Sequence, residues 1–343
     1  MRSPLDDIGV ALPVLAAPMA GDPSTPALVG AAARAGSLGF LAAGYKTAEA
    51  LAANIAAVRL QTSVFGVNLF APNPLPVDIA DFQRYGHAIQ AEADRYGIEL
   101  PVAKPVEDDD QWRAKVDLLV ADPVPVVSLT FGIPEPAVVT ALRAAGSLVV
   151  QTVTSVDEAA AAAASGADVL AVQAAAAGGH SGTLTPRVRP RSIALPELVA
   201  AVRNAVSLPI IAAGGLAAAG DVAAAVRAGA SAVMVGTALL RTDEAGTTPA
   251  HRAALADPAG RGTVVTRAFT GRFARGLRNE FIDRYDGLAP PGYPAIHHLT
   301  SPLRKAAAAV GDSERMHLWA GTGYRHATDG PAGSVLTRLA ERL

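Results

Sequence analysis

One pattern recurs along this chain and restricts its fold more than any other: an alanine-rich helical run, a glycine stop, then a short apolar strand. It recurs as AAARAGSLGFLAAG around Gly36, ALRAAGSLVVQTV around Gly146, AAASGADVLAVQA around Gly166 and AVRAGASAVMVGTA around Gly229. Glycine suits the left-handed position that ends a helix, because it lacks the Cβ that makes this conformation costly. The runs that follow, such as those at 169–173 and 233–236, are uniformly apolar and read as strands buried on both faces. Alternating helices and doubly buried strands predict parallel βα units.

Candidate strands fall at 14–18, 38–43, 64–70, 126–131, 148–153, 169–173, 210–214 and 232–237, the eight needed to close a (β/α)8 TIM barrel. The same alternation would also build an open doubly wound sheet, but no GxGxxG follows the first strand. Two segments break the rhythm. Residues 71–116 and 242–319 leave from strand C-terminal ends, the face where barrels place their sites, and are expected to form a smaller cap or substrate domain. The barrel itself then comprises 1–70, 117–241 and 320–343.

Within 343 residues, 31 acidic and 29 basic groups nearly cancel, so no large field exists to recruit nucleic acid or an anionic membrane. The expected partner is a small molecule. The chain has no cysteine, which excludes disulfides, thiolate nucleophiles and zinc–sulfur sites. Its start, MRSPLDDIGV, lacks a basic segment followed by an apolar core, so a cytoplasmic protein is expected. The most membrane-like stretch, 223–240, is interrupted by Arg227, Gly229 and Ser231 and reads as a helix end plus a strand.

Chemistry concentrates at the strand ends. IIAAGGLAAAGD at 210–221 and AVMVGTALL at 232–240 would lie on adjacent strands, where backbone N–H groups commonly bind phosphate; Gly214, Gly215 and Gly236 would let an anion approach. Asn68 and Gln173 end apolar strands with an amide, suited either to a heteroaromatic ring edge or to a cap. Pro18 suggests a fixed bend, and Met19 an apolar wall beside a flat ligand. His180 lies in QAAAAGGHSGT, where Gly178 and Gly179 permit close approach of a ligand. A histidine there serves as a general base near neutral pH, or as a donor to an anion when protonated. His297, His298, His317 and His326 read as surface groups, and no metal-ligand spacing is present.

Taken together, PVLAAPMAG, FGVNLF, VQAAAAGGHSG, IIAAGGLAAAGDVAAAVRAGASAVMVGT and LWAGTG resemble, in order and spacing, the nitronate monooxygenases, formerly 2-nitropropane dioxygenases. The resemblance runs from about residue 10 to 325. Those flavoproteins belong to an FMN-dependent barrel superfamily that also includes enoyl-acyl-carrier-protein reductases. It implies FMN held by Pro18, Met19, Asn68, Gln173, Gly178, Gly179, Gly214 and Gly215, with Met234, Val235, Gly236 and Thr237 around its phosphate end. His180 takes the place of the active-site histidine. The implied reaction converts an alkyl nitronate, or its parent nitroalkane, and O2 to a carbonyl compound and nitrite.

Where the family loop reads Gln-Gly-x-Glu-Ala-Gly-Gly-His, this chain has Ala174 and Ala176, and the missing carboxylate is expected to alter how His180 is oriented or tuned. Tyr293, Ser301, Arg304 and Lys305 fall where the family places substrate-domain residues; Lys305 would pair with an anionic group, or Arg304 and Lys305 would form a solvated helix face. The arginine-rich stretch 266–279 would line the pocket or tie the cap to the barrel. Rival readings are an NAD(P)H-dependent flavin reductase, a non-redox isomerase or aldolase holding a sugar phosphate, and a flavin-binding protein without turnover. A homodimer is compatible with all of them.

Overall fold

The computed structural model describes residues 4–343; Met1–Ser3, the opening of the MRSPLDDIGV segment, lie outside it. Its strands, in chain order, are β1 (Val14–Ala16), β2 (Phe40–Ala42), β3 (Gly66–Phe70), β4 (Val126–Thr130), β5 (Leu148–Val153), β6 (Val169–Gln173), β7 (Gly179–His180), β8 (Ile210–Ala213), β9 (Ala232–Val235), β10 (Thr263–Thr266) and β11 (Ala274–Leu277). Eight form one parallel sheet in the order β1-β9-β8-β6-β5-β4-β3-β2. The two ends of that sheet meet, because Ala16 bridges Gly39 in parallel and its N–H donates to Leu38 O at 2.9 Å. The sheet is therefore a closed barrel, and the open alternative is excluded.

Each strand is buried on both faces for a reason visible in its alternation. Val169 and Ala171 of β6 and Ile211 of β8 join Leu15, Phe40, Val126, Val150 and Met234 in the barrel interior. Their neighbours Leu170, Val172, Ile210 and Ala212 point outward against helices. The last helix, Ala332–Ala340, packs Val335, Leu336 and Leu339 into that outer layer beside Leu28 and Val222, completing the ring only after a long excursion.

Five strands, β1, β2, β4, β8 and β9, end earlier than their hydrophobicity predicts, and three of these stops shape the mouth of the barrel. After β1, the Met19 N–H is taken by Ser24 Oγ at 2.8 Å, three residues beyond the last laddered position. After β8, Gly214 and Gly215 adopt φ of +111° and +77°, a region costly for residues with a Cβ. After β9, the chain winds into a single 3₁₀ turn, Thr237–Leu239.

The two excursions share an apolar cluster: Phe82, Tyr85 and Ile89 of helix Ile79–Asp94 pack with Phe269, Phe281 and Leu299. A buried ion network reinforces this contact. The Glu92 carboxylate accepts from Arg315 Nε (3.0 Å), Arg284 Nη1 (2.9 Å) and Tyr285 OH (3.1 Å). A small antiparallel sheet, β10-β11-β7, was not anticipated; it pairs Ala274 with His180 and Arg275 with Gly179. No helix among the described residues is long and apolar enough to cross a membrane.

Candidate functional site

A cavity of about 270 Å³ opens at the C-terminal ends of the barrel strands. All the residues singled out above as flavin contacts line it, from Pro18 and Met19 after β1 through Asn68 on β3, Gln173 on β6, and Gly178, Gly179 and His180 in the following loop. Gly214, Gly215 and the stretch from Met234 through Val235 and Gly236 to Thr237 complete it.

The glycines form a cradle with a vacant set of donors. The backbone N–H groups of Gly215, Gly236 and Thr237 find no acceptor among the described residues. Unpaired N–H groups at tight glycine turns and at the start of a helical turn suit an anion. The space is kept by close packing: a Cβ on Gly178 would lie 2.6 Å from Gly321 N, and one on Gly215 would lie 2.9 Å from Ala176 Cβ. The LWAGTG motif seals this side, with Gly321 N–H donating to Thr237 Oγ1 (2.9 Å) and Thr322 N–H to Ala176 O (3.0 Å). Two further buried polar atoms on cavity-lining residues, Thr247 Oγ1 and His251 Nε2, also lack partners among the described residues. Orphaned groups in such number call for a polar ligand.

The two strand-end amides behave differently. Asn68 Nδ2 donates to Ser128 Oγ (2.9 Å) and Thr130 Oγ1 (3.0 Å) on β4, while no protein donor reaches its Oδ1 among the described residues. Gln173 spends both ends on its own loop: Nε2 donates to His180 O at 3.2 Å and Oε1 accepts from Gly182 N at 2.8 Å. Its amide thus clamps the histidine loop as well as lining the cavity.

His180 sits in an aromatic box of Phe131, Tyr293 and Trp319, with ring centroids 5.7, 5.6 and 5.4 Å away. Phe131 takes φ +84°, a left-handed conformation uncommon for a bulky side chain, and its ring meets the Arg272 guanidinium at 4.0 Å. His180 Nε2 lies 2.9 Å from Thr270 Oγ1. Burial first, then the charges of Arg272 and Arg304, push its pKa down to about 3, so His180 is neutral at physiological pH.

Arg272 is fully buried, its Nη2 donating to Thr183 O at 2.5 Å and its Nη1 unpartnered among the described residues. Arg304 is 5% exposed, which overturns the solvated-face reading. It donates to Thr300 Oγ1 (3.0 Å), to His297 O (2.8 Å) and to the rings of His297 and His317 (3.2–3.3 Å). Both guanidiniums have pKa values lowered by burial to about 10 and remain charged, and neither has a carboxylate within ion-pair distance among the described residues.

Other expectations also need correction. His297 and His317 are not surface groups: His297 stacks on Tyr45 at 4.2 Å, His317 lines the cavity, and burial holds both well below the usual histidine range. His298 pairs with Asp108 at 2.7 Å, and His326 is exposed. Lys305 is exposed and does not line the cavity, nor does Ser301. Tyr293 joins the site, its OH donating to Tyr45 OH at 3.2 Å. Ala176 contacts Gly215 and Thr322, and His180 is held by Thr270, so the missing loop carboxylate leaves the histidine anchored. The stretch 266–279 both supplies Thr270 and Arg272 and braces the loop, Arg275 Nε donating to Ala175 O at 2.7 Å.

A closed (β/α)8 barrel with a glycine cradle and a neutral histidine at its mouth, and with two buried arginines whose charge acts on that histidine, defines a barrel enzyme acting on small molecules. The chain belongs to the nitronate monooxygenase family, whose model matches residues 2–341. It is 35% identical over 341 residues to a probable nitronate monooxygenase of Staphylococcus aureus (strain Newman), covering 98% of this chain and 95% of that protein. Its fold superposes on a nitroalkane oxidase from Streptomyces ansochromogenes with a TM-score of 0.93 and 46% identity, covering 99% and 98% of the two chains. FabK from Thermotoga maritima matches with a TM-score of 0.76 and 25% identity, covering 100% and 96%.

Proposed function

We propose that this protein is an FMN-dependent oxidoreductase that converts small alkyl nitronates, or their parent nitroalkanes, and O2 to a carbonyl compound and nitrite. The observation that carries this reading is the neutral His180 on the wall of a cavity that ends in an N–H cradle, under the charge of two buried arginines that have no carboxylate partner among the described residues. In this reading Gly214, Gly215, Gly236 and Thr237 receive the cofactor phosphate, while Asn68, Gln173, Gly178 and Gly179 border its ring system and Pro18, Met19, Met234 and Val235 wall it. Bound there, FMN supplies the acceptor for the substrate's electrons.

The protein's own part is electrostatic and protolytic. Arg272 and Arg304 favour an anion at the site, since burial strengthens their field. His180 accepts the α-proton of a neutral nitroalkane. Its basicity rises as the nitronate forms, because the new negative charge offsets the two arginines. Phe131, Tyr293 and Trp319 exclude water from the reacting carbon.

The test is an absorbance spectrum of the purified protein, followed by anaerobic addition of ethylnitronate in one cuvette and NADH in another. A flavin spectrum bleached by nitronate supports the proposal. Bleaching by NADH alone moves the assignment to the reductase reading that the likeness to FabK favours. A colourless protein that cannot be reconstituted with FMN overturns both.

A further inference from the structure

We infer that Thr270 is a positioning residue that locks His180 in one tautomer, with the proton on Nε2 and the lone pair of Nδ1 turned to the cavity. The inference rests on the reading of His180 as a base, and names the atom that acts. Thr270 Oγ1 makes two hydrogen bonds, one with His180 Nε2 at 2.9 Å and one to the carbonyl of Arg272 at 3.1 Å. A carbonyl only accepts, so the single hydroxyl proton is committed to Arg272 O. The remaining bond requires His180 Nε2–H to donate and Thr270 Oγ1 to accept. In neutral imidazole the other nitrogen, Nδ1, is then bare. Nδ1 has no protein partner among the described residues and is not sealed from the cavity that His180 lines.

Neighbouring elements keep this arrangement from rotating. His180 is laddered to Ala274 of β11, Ser181 N–H donates to Phe273 O at 2.9 Å, and Thr270 is 1% exposed in the turn that precedes this strand. The charged and titratable groups facing the ring are Arg272, Arg304, Tyr293, His297 and His317. None of them is an anion at neutral pH, so none competes with Thr270 for the Nε2 proton.

The chemical consequence is directional. Toward the cavity, this tautomer accepts a proton and has none to donate. When a neutral nitroalkane reacts, the α-C–H bond breaks, its electron pair delocalises into the nitronate, and the proton forms Nδ1–H. The resulting imidazolium keeps its Nε2–H bond to Thr270. A preformed nitronate needs no such transfer, so Thr270 should matter to one substrate form and hardly to the other.

The experiment compares wild type, Thr270→Val and Thr270→Ser, each as purified with its flavin. Nitrogen-15 NMR of histidine-labelled protein separates protonated from bare imidazole nitrogens and needs no substrate. Wild type and Thr270→Ser should show a protonated Nε2 and bare Nδ1 for His180, whereas Thr270→Val should show mixed tautomers. With flavin content unchanged, Thr270→Val should lower kcat for nitroethane by about 10- to 100-fold, move its pH profile, and change turnover of ethylnitronate by less than about 3-fold. A bare Nε2 in wild type, or an unaltered tautomer in Thr270→Val, overturns the inference. A correct tautomer with no turnover of either substrate leaves the positioning intact and counts against the proposed reaction instead.

Discussion

His180 on β7 and Thr270 at the turn before β11 are 90 residues apart in sequence and 2.9 Å apart in the fold. The contact joins the barrel's sixth βα loop to the long excursion after the eighth barrel strand. The histidine is therefore anchored from outside its own loop.

Replacing His180 by Asn keeps a polar side chain but removes the base. Turnover of a neutral nitroalkane should fall by about 10²- to 10⁴-fold while flavin content stays near wild type. Steady-state kinetics with flavin quantified in each preparation decide this, and loss of flavin at unchanged turnover per flavin would remove His180 from the chemistry.

Acid should destabilise the fold through its buried histidines. The folded-state pKa is about 3 for His180 and about 4 for His251, both below the ordinary value of about 6.5. Because these values are depressed, the unfolded state binds the additional protons. Their stabilisation is complete above about pH 6.5 and is lost as pH falls toward 4 and then 3. The melting temperature should drop across that window, and should drop less in His251→Gln; equal slopes in the two proteins would contradict the assignment.

Arg304 should act on affinity for anions. Arg304→Leu removes a buried cation with no carboxylate partner, so KM for ethylnitronate should rise about 10-fold, while KM for nitroethane changes little. Equal changes for the charged and neutral substrates would point to a packing defect rather than lost charge.

Glu92 is a stability residue remote from the chemistry. Glu92→Ala strips Arg315 of its buried partner and should cost about 3–5 kcal/mol. Urea unfolding measures the loss. A cost below about 1 kcal/mol would mean that Arg315 finds sufficient pairing in Glu280, which lies 2.8 Å away.

Much of this was legible from local sequence. A glycine after an alanine-rich helix, then a doubly apolar run, reports the conformation of those residues themselves, and eight such runs set the barrel. Gly214, Gly215 and Gly236 were readable for the same reason, since a tight turn and close backbone approach leave few alternatives to glycine. Pro18, Met19, Asn68 and Gln173 stand at the mouth because strand ends in a parallel barrel all face one way.

The rest depends on pairs distant in sequence. Arg304 reads as a helix-face charge until its guanidinium is seen bonded both to His297 of its own helix, Ala295–Ala309, and to His317. β7, only two residues long, exists because β11 pairs with it, and no local periodicity announces it. Sequence by itself determined the barrel, its glycine-rich strand ends and the loop that carries His180 to the mouth, because each follows from short-range sterics and alternation. Tertiary structure alone decided that this residue is neutral and which of its nitrogens carries the proton, because desolvation and hydrogen bonding are properties of neighbours brought together across the chain.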